Sequence, residues 1–219
     1  MDILNNIYKE SPTKAKSRRN IIDHSFKLFA EKGFDTFNMQ DIADISGITI
    51  RNLYRYYSSK EALISDVAYS YISEFNSAFP IILDETLSGY YQLRDLLQKQ
   101  IEYKLLSDNN QTVITFIAYF DIYMTKSNFE HEAIKNYIEV YAPLLKENLL
   151  ESIKKVLLKG VEDSTLILES FEVDCYVGYI YHSLMSLMSR VSVKRYEVDI
   201  QQFDFIQKHI DVLLHHLKK

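Results

Sequence analysis

The residues best equipped for chemistry lie close together: Thr49, Ile50, Arg51, Asn52, Tyr54, Arg55, Tyr56 and Lys60. Their chemistry is recognition rather than turnover. An arginine can span a guanine edge with two hydrogen bonds, Asn52 can read adenine, and Ile50 can touch a thymine methyl. Thr and Tyr hydroxyls and a lysine ammonium can hold phosphates. Catalytic sets are missing: there is no nucleophile elbow, HExxH, phosphate-binding glycine loop or paired catalytic carboxylates, and 5 Gly leave little room for backbone cradles. The lone Cys175 allows neither an internal disulfide nor a zinc site built on cysteine pairs. His131, His182, His209, His215 and His216 lack the three- or four-residue spacing of a one-face metal site, and His182 near Cys175 reads as buried packing. The reading is therefore of a protein that is not an enzyme, with no metal and no cofactor.

Something must present those side chains. Apolar residues recur at helical spacing from Thr13, a plausible N-cap, to Lys32, and Gly33 stops the run. Asn38 can cap a short helix over Met39–Ile45, ended by Gly47. Thr49 can cap another from Ile50 to Tyr56 or Tyr57, with Ile48 and Leu53 turned inward. Two short helices joined by Ser46-Gly47-Ile48 form a helix-turn-helix pattern, whose second helix is narrow enough for the DNA major groove. Ser58 with Glu61 reads as a capping box opening a fourth helix through Leu63, Ile64 and Val67. Lys60 in its first turn opposes the helix dipole unless an anion such as phosphate sits there; a solvated lysine beside Glu61 is the plain alternative.

Composition agrees with a globular chain: 219 residues, 47% hydrophobic and 25% charged, enough for a sizeable core, with no apolar run long enough for a membrane span or leader. A cytoplasmic location is expected. The net charge of −5 argues at first against a nucleic-acid partner, but it is unevenly spread. Residues 1–64 carry ten Lys and Arg against eight Asp and Glu, leaving fifteen against twenty-two for the remainder. The two parts differ in sign and so in expected partner.

The run Gly33-Phe34, Met39-Gln40-Asp41-Ile42-Ala43, Gly47-Ile48-Thr49, Leu53-Tyr54-Arg55-Tyr56-Tyr57 and Lys60-Glu61-Ala62-Leu63 resembles the DNA-binding domain of the TetR family of transcriptional regulators. The likeness covers roughly residues 14–64. It implies an all-α fold: an N-terminal three-helix helix-turn-helix domain, then a larger helical domain that binds an effector and dimerises. The divisions expected are a tail over 1–12, the DNA-binding domain over 13–60 and the effector domain over 61–219. The resemblance implies a homodimer reading a palindromic double-stranded operator, with phosphate contacts from Tyr54, Tyr56 and Lys60. Groove-facing positions would be Thr49, Ile50, Arg51, Asn52 and Arg55, and Asn38 joins the DNA-facing set. Arg51 stands where the family usually has a small residue, and Ser46, Tyr56 and Tyr57 also depart from its common choices.

Beyond Pro80 the chain reads as helices without strands or repeats. One opens at Ser88 or Gly89 and is closed by Ser107-Asp108-Asn109-Asn110; one spans Thr112 to about Met124. A capping box over Ser127–Glu130 leads a long helix interrupted at Pro143 and ended by Lys159-Gly160. After a connector come helices over Glu172–Ser189 and from Asp199 to the end. Both are apolar on more than one side, so Val173, Val177, Ile180, Leu184, Phe203, Ile206, Ile210 and Leu213 are read as a dimer interface in a four-helix bundle. Coverage by helices of the same chain is the alternative. The chain holds 17 Tyr and 12 Phe. On the helices of the resembled effector chamber, Tyr103, Phe116, Tyr119, Phe120, Tyr123, Tyr141, Tyr176 and Tyr179 can line a pocket for an aromatic or apolar molecule; the competing reading is plain core.

Together these give a ligand-responsive repressor released from its operator by a small molecule. The rival is a helix-turn-helix protein whose second half takes a protein partner, which a chamber filled by Tyr and Phe would favour. An all-helical enzyme and a helical protein that never meets DNA are further alternatives.

Overall fold

A computed structural model of the protein describes residues 8–78, 81–105, 108–126, 132–136, 139, 149–192 and 202–219. These residues are helical almost throughout: α1 (Pro12–Lys32), α2 (Met39–Ile45), α3 (Ile50–Tyr56), α4 (Lys60–Ala78), α5 (Gly89–Leu105), α6 (Asp108–Lys126), α7 (Glu132–Asn136), α8 (Leu149–Glu162), α9 (Val173–Ser192) and α10 (Gln202–His215). The all-α class read from the sequence is the one observed. Extended pairing among the described residues is confined to one antiparallel bridge between Leu166 and Lys218. No described helix is long and apolar enough to cross a membrane.

Local signals set most boundaries. Asn38 caps α2 through a complete capping box: its Oδ1 accepts from Gln40 N and Asp41 N, and Asp41 Oδ2 accepts from Asn38 N at 2.8 Å. Thr49 Oγ1 accepts from Asn52 N at 3.2 Å at the start of α3. Other boundaries moved. Helix α1 begins at Pro12, before the expected Thr13 cap, because proline needs no partner for a missing N–H in a first turn. Ser59, not Ser58, caps α4, accepting from Ala62 N at 3.2 Å. The stretch read as closing α5 already holds the start of α6 at Asp108, since Asp and Asn suit a first helical turn as well as a loop. Gly160 does not stop α8, which runs on to Glu162; there the glycine serves a close approach instead. Residues 127–130 and Pro143 lie outside the described residues.

The chain divides into two compact units: Met1–Ala78 with Thr112–Lys146, and Phe79–Gln111 with Glu147–Lys219. In the first, α1 supplies Ile21, Ile22, Phe26 and Phe29 to a core shared with Leu53 and Leu63, all buried. Phe26, Phe29, Phe34 and Phe116 form a connected ring cluster, with Phe116 5.3 Å from Phe26 and 5.5 Å from Phe34 between centroids. This is why Thr112–Lys146 groups with the N-terminal helices.

In the second unit α8 is the centre, packed against α5 and α9. A Cβ built on Gly89 would lie 2.2 Å from the Gly160 backbone, so α5 and α8 touch where neither has a side chain. Asp163 Oδ2 accepts from Gly89 N at 2.7 Å and Thr165 Oγ1 from Tyr90 N at 3.1 Å. The exit of α8 thereby caps the entry of α5.

The centrality of α8 bears on the expected dimer interface, whose alternative was cover by helices of the same chain. Val173, Val177, Ile180, Leu184, Ile210 and Leu213, assigned from sequence to a dimer interface, are buried within a single chain. Leu149, Ile153, Val156 and Leu157 of α8 are fully buried and α8 packs on α9, so the second apolar side of α9 meets the chain's own helix. The side chains of Phe203 and Ile206 lie outside the described residues.

Candidate nucleic-acid interface

The turn between α2 and α3 is made by the backbone. Ser46 N donates to Ile42 O at 3.0 Å, Ile48 N to Ala43 O at 3.0 Å, and Gly47 takes φ 67°, a conformation that costs a glycine nothing. Asn20 Nδ2 of α1 donates to Ser46 O at 3.1 Å and ties the turn to the helix behind it. Leu53, fully buried, is the anchor of α3, and Tyr57 just beyond is buried too. One inward residue on a seven-residue helix leaves the rest available. Thr49, Arg51 and Arg55 are exposed, Tyr54 is 52% exposed, and Ile50, Asn52 and Tyr56 are half-buried. The structure thus brings the sequence-selected residues onto one short rod standing on a rigid base, with Asn38 exposed at the start of α2.

Lys60 differs in its duties. Its Nζ donates to Phe37 O at 2.7 Å and lies 4.1 Å above the Phe37 ring. Partial burial moves its pKa below the ordinary lysine value. The ammonium therefore fastens the strand entering α2 to the start of α4, and two of its three donors stay available to an anion.

Sequence reading missed what holds the rod to the rest of its unit. Arg18 on α1 is 4% exposed and pairs with Glu10 through Nε at 3.0 Å and Nη2 at 2.8 Å, and with Asp66 of α4 at 3.3 Å. The Tyr8 ring lies 3.8 Å from the guanidinium, with Tyr56 and Tyr57 at 5.5 and 5.0 Å, and Tyr8 Oη donates to Asp66 Oδ1 at 2.9 Å. Burial alone would weaken the Arg18 charge; the hydrogen bonds to Glu10 override it and raise the pKa above the usual range. The same bonds hold Glu10 down to about 2. Arg19 with Glu74, and Asp23 accepting from Tyr71 Oη at 2.9 Å, continue the α1–α4 seam. A signal was present: Arg18 falls on the spacing of Ile21, Ile22, Ser25 and Phe29, so a charge sits on the buried stripe and needs a buried partner.

The expected effector residues fall in both units. Phe116 and Phe120 are buried in the ring cluster of the first unit, packed on phenylalanines, because that cluster joins α6 to α1. Tyr119 is half-buried, and Tyr123 donates to Glu61 Oε1 at 3.2 Å, its pKa raised by burial and then by that carboxylate. In the second unit Tyr176 is half-buried and Tyr179 is 59% exposed, the two rings edge to face at 6.5 Å. The Tyr103 side chain and Tyr141 lie outside the described residues. Cys175 and His182, read as buried packing, are both exposed, because their face of α9 lies away from α8. Among the described residues no group of His, Cys, Asp and Glu could hold a metal ion.

Comparison with known proteins bears on this arrangement. Residues 21–67 match the family described as bacterial regulatory proteins, tetR family. The chain is 28% identical over 94 residues to the HTH-type transcriptional repressor KstR2 of Mycolicibacterium smegmatis, covering 42% of this chain and 46% of that protein. The match thus spans under half the length of that relative. The fold is similar to the ketosteroid transcriptional regulator KstR2 of Mycobacterium tuberculosis, with TM-score 0.60 at 19% identity over 92% of this chain and 95% of that one. It is also similar to the regulator FadR of Bacillus subtilis in complex with stearoyl-CoA, with TM-score 0.61 at 14% identity over 90% and 98% of the two chains. The turn, the exposed rod and the wholly helical frame agree with these matches: residues 21–67 are similar to the DNA-binding region of the tetR family of bacterial regulatory proteins, and the fold of the described residues is that of the solved regulators.

Proposed function

We propose that the protein is a ligand-responsive repressor whose α3 helices, presented twice by a homodimer, read a palindromic operator. The observation that carries this reading is the α3 rod itself: Thr49, Arg51, Tyr54 and Arg55 exposed on a helix pinned by Leu53. Residues 13–60 do the reading and 61–219 respond to an effector. Arg51, Asn52, Arg55, Ile50 and Thr49 face the groove, while Tyr54, Tyr56, Lys60 and Asn38 address phosphates and the flanking backbone. Since Val173, Val177, Ile180, Leu184, Ile210 and Leu213 are buried within one chain, the dimer contact draws on exposed residues of α9 and α10, including Tyr179, Phe205 and Val212.

Relatives in fold named for ketosteroids and for stearoyl-CoA support an apolar effector here. An effector that binds the non-reading form ~100-fold better weakens operator binding by about 2.7 kcal/mol, since coupling is reciprocal. One observation favours the second reading, a protein partner in place of a small molecule: Phe116 and Phe120 already fill their own space. Fluorescence anisotropy on the DNA upstream of the protein's own coding region tests the proposal. Specific binding should fall steeply with salt and be reversed by a steroid or long-chain acyl thioester. Equal, salt-insensitive binding to random DNA would reject it.

A further inference from the structure

The second unit carries a feature that neither operator reading nor the aromatic residues use. An open cleft of about 480 Å³ lies between α5 and the end of α10, lined by Tyr90, Arg94, Asp211, His215, Lys218 and Lys219. Arg94, Lys218 and Lys219 share it with one side-chain carboxylate, Asp211, although the chain beyond residue 64 carries fifteen basic against twenty-two acidic residues. Chance placement on an acidic surface would favour the opposite sign.

The backbone beneath the two lysines is held in place, and Arg94 and Lys218 are oriented by side-chain contacts. Ile167 N donates to Leu217 O at 2.8 Å and Lys219 N to Thr165 O at 3.2 Å, around the Leu166–Lys218 bridge, so the backbone carrying both lysines is fixed against the exit of α8. The Lys218 ammonium stands 5.0 Å from the Tyr90 ring and 5.5 Å from the Tyr91 ring, and those rings meet edge to face at 5.3 Å. Among the described residues no carboxylate pairs with Lys218 or Lys219. Arg94 Nη2 bonds Asp211 Oδ1 at 2.8 Å, an oxygen that also accepts from Gln207 Nε2 at 3.3 Å. That contact orients the guanidinium and uses one of its five donors. Both side chains of the pair are more than a third exposed.

We propose that this cleft binds a small phosphorylated molecule, as a ligand site separate from the effector chamber and independent of the operator reading. A single carboxylate meeting exposed cations gains little, whereas a pyrophosphate group brings several charges and can take a forked contact from Arg94 with point contacts from Lys218 and Lys219.

Inorganic pyrophosphate is the probe, titrated by calorimetry into the full-length protein at constant ionic strength against chloride. Saturable binding is expected. Arg94→Gln combined with Lys218→Gln should weaken it roughly tenfold or more, the scale of one or two lost charge-assisted bonds. Asp211→Asn removes the opposing charge and should tighten it severalfold, a gain that a damaged fold cannot produce. Arg51→Ala, in the other unit, should leave it unchanged. No saturable binding by the wild-type protein, a double variant that binds equally well, or an Asp211→Asn variant that fails to tighten would each overturn the site, and loss through Arg51→Ala would place the anion on the operator-reading face instead. Operator binding measured without pyrophosphate is untouched by any of these results.

Discussion

Arg18 shows how one side chain can set both stability and recognition. Its guanidinium gathers Glu10 and Asp66 and stands beside Tyr8, Tyr56 and Tyr57, the last two closing the end of α3. A buried pair that loses one partner strands a charge, so Arg18→Ala should destabilise the fold by about 3–5 kcal/mol in urea titration; a loss under about 1 kcal/mol would show that the network is solvated. Glu10 supplies the pH dependence. Its pKa is depressed in the folded state from the ordinary 4.5 to about 2, so its contribution is complete above the unfolded value and vanishes as pH falls through the folded one. The stability gap between wild type and Glu10→Gln should be constant above about pH 5.5 and close towards pH 2; a gap that persists at pH 2 would contradict the pairing. At the interface itself, Arg51→Ala should lose discrimination at one base of the operator, whereas Lys60→Ala should weaken all sequences alike and also loosen the Phe37 contact. Selection experiments with randomised operators separate the two.

At the scale of elements, the helix-turn-helix was legible because its signals are local. Asn38, Gly47, Thr49 and Leu53 each act through neighbours within a few residues, so spacing alone gives caps, turn and anchor. What escaped needed distant partners. Arg18 with Asp66 spans 48 residues and Gly89 against Gly160 spans more; no window of sequence holds both ends. Gly160 was legible as a glycine near a helix end, yet its role is to admit α5. Gly89→Ala should therefore force α5 and α8 apart and cost about 1–3 kcal/mol by thermal or chemical unfolding, where an unstrained helix position would gain from alanine. An unchanged or raised stability would mean that the two helices do not meet backbone to backbone. The apolar sides of α9 left two readings open for a related reason: the pattern reports that more than one side needs cover and is silent on who supplies it.

For the whole molecule, the proposed operator reading requires two copies of α3 set to the pitch of B-DNA, about 34 Å between half-site centres. Five base pairs inserted between the half-sites should abolish tight binding, by turning one half-site to the far face of the duplex, and ten should restore part of it. The charge split supports this division of labour, with the basic surplus confined to the part that carries α3. The most direct test is hydroxyl-radical footprinting of the upstream DNA by the full-length protein. Two symmetric protected windows one helical turn apart are predicted for the wild type, both lost in an Arg51→Ala, Arg55→Ala variant that keeps its helical circular dichroism. Protection that survives this double substitution, or a single asymmetric window, would contradict the claim that paired α3 helices read the operator.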